Sequence, residues 1–137
     1  MRSLSLILVG ATLAGCAATA EQPMRSARGQ AEYQRLIQGK VAGTPVSCLP
    51  SYRANDTIVI DEQTVAFRIA GGSQVYIAHM PGGCPNLGQA NYVLLTRQFG
   101  SSDLCRGDIA QIVDPVNRIT VGSCTFGDFT PYTKAGR

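Results

Sequence analysis

The sequence predicts a mainly β domain: a small antiparallel sheet, twisted or curled into a half-open barrel, with one N-terminal helix and two disulfides. Three observations predict it. Short runs rich in Val, Ile, Thr, Phe and Tyr recur from residue 46 onward, several with strict two-residue alternation. Turn-forming Gly, Pro, Asn and Asp separate those runs at short intervals. Four cysteines, Cys48, Cys84, Cys105 and Cys124, form an even set in the same region.

Taken in order, residues 1–15 form a leader: Met1, Arg2 and Ser3 precede the apolar stretch "LSLILVGATLAG". One positive charge ahead of about a dozen apolar or small residues is the pattern of an export signal, too short to span a bilayer core, which needs about 20. The leader closes on "LAGC" (13–16), which resembles the bacterial lipobox. The resemblance implies that the Cys16 thiol takes a diacylglycerol and that cleavage just before it makes Cys16 the first mature residue. One acyl chain binds a membrane only marginally, whereas two or three on one cysteine hold a protein durably. The residue after the cysteine is Ala17 rather than Asp, which in similar lipoproteins favours the periplasmic face of the outer membrane. No later run reaches 18 apolar residues, so the lipid is the expected membrane attachment.

Residues 16–26 read as a tether, small and polar with Pro23. The folded domain is expected at 27–131, with 132–137 as a fraying tail. In "SARGQAEYQRLIQGK", Ser26 is suited to cap a helix and Gly39 to end it, while Tyr33, Leu36 and Ile37 fall on one side. A helix over 27–38 follows, weakened by Gly29 by up to about 1 kcal/mol.

From Val46 on, "PVSCLP" suits a sheet edge because prolines bound it. "TIVI" (57–60) is a compact β-rich run, and "TVAFRIA" alternates Val65, Phe67 and Ile69 against Thr64, Ala66 and Arg68. "QVYIAHM" sets Val75, Ile77 and His79 against Tyr76, Ala78 and Met80, and Gly71-Gly72 joins the two runs as a hairpin turn. Residues 81–91 read as a loop, and "GSSDLC" (100–105) as a turn or single helical turn. Residues 92–99, 108–114 and 119–126 read as further strands. No internal repeat or low-complexity segment interrupts them.

The four later cysteines imply two disulfides in an oxidising compartment. Their spacing contains no Cys-x-x-Cys pair, so neither a redox motif nor a zinc knuckle is indicated. Sequence leaves three connectivities open; the expected one is Cys84 with Cys105, closing an excursion, and Cys48 with Cys124, tying the first strand to the last.

The segments "VSCLP", "VIDEQTVAFRIAGGSQVYIAHMPGGCPNL", "LCRGDIAQIVD" and "GSCTFGDFTP" together resemble a family of small exported proteobacterial proteins, catalogued only as a domain of unknown function. The resemblance covers residues 45–131 and all four cysteines. It departs at Asn86, where the family often has Gly after Cys-Pro. It implies one stapled domain and no activity.

Charge and motif searches narrow the function. The net charge is +3, only Lys40 and Lys134 are lysines, and no cluster of like charges occurs, so nucleic acid is not an expected partner. Trp is absent, which weakens any stacking platform for sugars or bases. His79 is the lone histidine, with no nucleophile and orienting group placed beside it in sequence. Ser47, Ser73, Ser101, Ser102 and Ser123 lack the Gly-x-Ser-x-Gly elbow. Asp56, Asp61 and Glu62 crowd one hairpin, where Asp favours turns. Arg53, Arg68, Arg97, Arg106 and Arg118 are treated as scattered solvated charges. "GGSQVY" is similar to the inhibitory loop of small periplasmic lysozyme-inhibitor lipoproteins, which makes Ser73 and Tyr76 candidate binding residues. The sequence therefore indicates no enzyme, no cofactor and no metal. It predicts a lipid-anchored periplasmic protein of unknown biochemical role, a non-enzymatic domain that binds a protein partner in the envelope or supports the envelope; the alternative is an inhibitor of a cell-wall hydrolase.

Overall fold

The computed structural model describes residues 25–49, 54–69, 72–89, 91–98 and 103–136. The leader, Cys16, most of the tether, Arg53, Gly71, Ser101 and Ser102 lie outside the described residues. The architecture is three layers, with a helix on one face of a five-stranded sheet and a three-stranded sheet on the other.

The helix, α1 (Ala27–Ile37), starts as its sequence dictates: the Ser26 hydroxyl accepts a hydrogen bond from Gly29 N at 3.1 Å. It stops at Gln38, and Gly39 takes φ +68°, a conformation that costs glycine little. Its apolar side meets the large sheet. That sheet contains β1 (Lys40–Ala42), β3 (Ala54–Asp61), β4 (Thr64–Ile69), β5 (Gln74–His79) and β10 (Phe129–Lys134), in the order β1-β10-β5-β4-β3, all antiparallel. Between β1 and β3 lies the short β2 (Cys48–Leu49), which pairs with β7 (Leu104–Cys105). The third sheet is β6 (Val93–Arg97), β8 (Ile109–Asp114) and β9 (Ile119–Thr125), in the order β6-β8-β9.

The two-residue period of the strands sorts the side chains into two cores. On the helix side, Ala66, Val75, Ile77 and Ile60 pack with Leu36 of α1, joined by Tyr33, Ile37, Ile58 and Tyr132. On the other side, Val65, Phe67, Tyr76, Ala78 and Phe129 pack against Leu49, Leu104, Ala110, Ile112 and Phe126. Phe67, Phe126 and Phe129 form a triangle with ring centroids 5.9–6.0 Å apart, the spacing at which aromatic pairs attract.

One expectation holds and three need correction. First, the open antiparallel architecture holds: the sheets are not closed into a barrel, and they stack as layers. Second, the disulfides are Cys48–Cys105 and Cys84–Cys124. The reason is β7: "LC" is not a turn but a strand laid against Cys48–Leu49, so Cys48 stands directly opposite Cys105. Each link closes a loop of 57 or 40 residues; chain entropy puts each at about 4 kcal/mol. Third, the C-terminal segment does not fray at 132. Phe129–Lys134 is an interior strand of the large sheet, paired to β5 on one side and β1 on the other. Pro131 is tolerated there because its missing N–H falls on the β1 side just past that strand's end, where Pro131 O accepts from Gly43 N at 2.7 Å. Fourth, the link from β4 to β5 runs over residues 70–73, longer than a two-residue turn.

The departure at Asn86 has a structural reason. Asn86 has φ +66°, the left-handed region that glycine and asparagine share, and its Nδ2 donates to Val121 O at 2.7 Å. Its side chain therefore ties the 81–91 loop to β9, a bond glycine lacks.

Candidate functional site

A groove of about 1090 Å³ lies between the N-terminal half of α1 and the β3–β4 hairpin. One lip is α1, through Arg28, Gln30 and Tyr33; the other is Leu87 and Gly88; Ile58 to Asp61 of β3 form the floor.

Local sequence builds this site. β3 and β4 are joined by Glu62 and Gln63, and the turn is locked by Asp61, whose carboxylate accepts from Gln63 N at 2.8 Å. The register slips between Val59 and Asp61, a β-bulge at Ile60. A bulge re-aims the residues beside it. Ile60 joins the helix-side core, and Asp61 reaches the helix side as well. There it meets Arg25, Nε to Oδ2 2.8 Å, while the same guanidinium donates to Thr64 Oγ1 at 3.3 Å and lies 4.1 Å over the Tyr33 ring. Both ends of the Arg25–Asp61 pair are about one-fifth exposed. Its charges are thus partly desolvated and mutually satisfied.

Other polar groups around the groove are likewise engaged. Glu32 accepts from Arg35, which holds its carboxyl below the usual range. Glu62 accepts from Gln89 Nε2 at 2.7 Å. Tyr33 of α1 and Tyr132 of β10 share a hydroxyl–hydroxyl bond of 3.0 Å; burial first, and then that bond, push the Tyr132 phenol up to about 12.

His79, at the end of β5, lines the groove with its ring edge open to solvent. Desolvation of its inner part, reinforced by the Arg25 charge and opposed by Asp61, lowers its pKa from 6.5. The imidazole is therefore mainly neutral at pH 7, and among the described residues no hydroxyl or thiol is bonded to it to serve as a nucleophile. Among the described residues no three His, Cys, Asp or Glu side chains gather as a metal site, and no helix is long and apolar enough to cross a membrane.

The residues singled out in the sequence fall as follows. Asp61 and Glu62 line the groove and act in the turn and its pairs; Asp56 pairs with Arg68 at 3.2 Å. Arg106 pairs with Asp128 at 3.1 Å, and Arg118 sits in the β8–β9 connection at φ +58°, so these arginines do not form one patch. Ser73 is exposed in the hairpin loop, but Tyr76 is 6 % exposed, with its ring in the core and its hydroxyl accepting from Gln74 Nε2 at 3.0 Å. The two do not present a common surface. The groove itself was not visible in the sequence: Arg25, Arg28 and Tyr33 meet Ile58–Asp61 only because α1 crosses the edge of the sheet. The one local signal was Gly29, which lets the helix approach Ile60 O so closely that a Cβ would lie 2.8 Å away.

Fold and site together define a disulfide-stapled, mainly β protein of three layers, with one helix and a polar groove beside it. Over residues 1–135 the chain matches the family described as "Family of unknown function (DUF6491)", and it belongs to that family. No curated protein and no solved structure matches it.

Proposed function

We propose that this chain is a lipid-anchored protein of the bacterial envelope, fixed through Cys16 to the periplasmic face of the outer membrane, that binds a partner in the α1–β3 groove without transforming it. The observation that carries the anchor is "LAGC" at the end of an apolar leader. Two internal disulfides support an oxidising compartment. The binding role is supported by the groove's position. Arg25, at its rim, lies nine positions after Cys16. At about 3.5 Å per residue, the groove stays within about 30 Å of the lipid. Its Arg25–Asp61 pair and the Glu32–Arg35 pair beside it are held in place, which suits a preorganised binding surface more than a reaction centre.

Growing cells with labelled palmitate tests the anchor: the protein is expected to carry label and sediment with outer membrane, and Cys16→Ser to lose both. Retention of label in that variant contradicts the reading. A photo-crosslinking residue at Arg28 tests the groove, with Val116, exposed in the β8–β9 connection, as control. An adduct in living cells at position 28 and none at 116 is expected; equal adducts at both contradict it.

A further inference from the structure

The groove's floor is the outer edge of a sheet. β3 ends the strand order, and among the described residues no backbone group outside the sheet hydrogen-bonds to Ala54–Asp61. The groove touches Ile58, Val59, Ile60 and Asp61 in succession. Ile58 lies on the helix-side core and Val59 on the opposite one, so a cavity that meets both meets the backbone edge between them. At Ile60 the helix covers that edge, since Gly29 packs on the Ile60 carbonyl; the open stretch is 56–59. Natural sheets blunt such edges with Lys, Pro, bulges or a covering element; the irregularities of β3 fall between Ala54 and Asp56 and between Val59 and Asp61, which leaves 56–59 in regular pairing with β4. "ANDTIVID" contains neither Lys nor Pro, and it includes the uncharged, β-prone "TIVI". It is instead flanked by two lips. Arg28 and Tyr33 stand on the helix side; on the other, Gly88 runs so near Val59 that a Cβ there would lie 3.1 Å from its Cγ1.

We propose that this groove takes an extended polypeptide segment of a partner protein, which pairs with the β3 edge as a sixth strand of the large sheet. The inference deepens the binding role proposed above and rests on the groove being the binding site. A row of unpaired N–H and C=O groups is complemented by another extended main chain. Asp61 already pairs with Arg25 and Glu32 with Arg35, so these carboxylates call for no added cation, and Arg28 on the lip suits a polar side chain of the segment. The bound segment alternates: apolar side chains face Val59 and Leu87, and polar ones face Arg28 and Gln30.

Two other occupants fit less well. The chain's own residues 17–24, "AATAEQPM", are poor strand formers, and Pro23 has no N–H to give. A second copy is opposed by its charges. In a register centred on Ile58 and Val59, it would set Asp56 of each copy against Asp61 of the other.

The test uses the intact protein in detergent micelles and a displayed library of random twelve-residue peptides. Enriched peptides are expected to alternate apolar and polar residues and to slow amide hydrogen exchange at Thr57–Val59. N-methylating every second peptide nitrogen is expected to weaken binding at least tenfold in one register and less than twofold in the other. Equal sensitivity in both registers, exchange protection elsewhere, or no enrichment over unfolded protein overturns the proposal. So does a tenfold gain on deleting residues 17–24, which makes the tether the occupant, or a peptide-free dimer that protects the same amides. Palmitate labelling and position-28 crosslinking read different quantities. A failed peptide screen with intact label and adduct therefore rejects the strand-addition mode alone.

Discussion

Gly29→Ala tests how the helix is seated. In an exposed helix interior this change stabilises by up to about 1 kcal/mol, because alanine is the better helix former. Gly29 is buried, and the new methyl carbon would lie 2.8 Å from the Ile60 carbonyl oxygen, with the Ser26 hydroxyl at 3.3 Å. A normal contact to that oxygen needs about 0.5 Å more. The oxygen is backbone, held in a strand, so the helix must move and loosen Leu36 against Ala66, Val75 and Ile77. Overpacking of this kind costs about 1–3 kcal/mol. Net of the propensity gain, Gly29→Ala is expected to lower stability by about 1–2 kcal/mol and Tm by several degrees. Urea unfolding with both disulfides intact measures it, and Gln30→Ala, on the exposed side, serves as control and stays within about 0.5 kcal/mol. A Gly29→Ala protein more stable than wild type would refute the close seating of α1 on β3 and, with it, the groove's shape.

Further predictions concern the core, the termini and pH. Phe129→Ala opens the aromatic triangle and is expected to cost about 3–5 kcal/mol by urea titration, a large part of a small domain's stability. Truncation after Asp128 removes β10 and separates β1 from β5; loss of near-ultraviolet circular dichroism is the expected outcome. Tyr132 ionises near 12 in the native state against an ordinary value of 10.0. The native protein therefore holds that proton longer, and stability falls as pH rises from about 10 to about 12. Phenolate absorbance should show one late-titrating tyrosine, lost in Tyr132→Phe. His79, lowered below 6.5, works in the other direction: its unfolded form binds protons first, so stability falls as pH drops through 6.5 towards the native value. In His79→Gln that part of the acid sensitivity disappears from a pH series of melting curves.

Much of the fold was legible because its signals are local. Ser26, the Tyr33–Leu36–Ile37 stripe and Gly39 mark α1 from cap to stop. The alternation of Val65-Phe67-Ile69 and Tyr76-Ala78 marks β4 and β5, and the structure puts each set on one core. The misses are non-local. "FTPYTK" contains a proline and a weak apolar pattern, and only its place between β5 and β1 makes it a strand. The disulfide pairing follows from the two-residue β2–β7 pair, too short to signal itself. The groove depends on a bulge at Ile60 and on a helix crossing that no residue spacing encodes.

The account stands on a lipid-bearing first residue joined to a twice-bridged domain. Intact and peptide-level mass spectrometry of the protein from its native membrane tests both at once. The expected spectrum has Cys16 as the N-terminal residue with diacylglyceryl and acyl mass added, and bridged peptides joining Cys48 to Cys105 and Cys84 to Cys124. A retained Met1, an unmodified Cys16, or free thiols at the four later cysteines would contradict it.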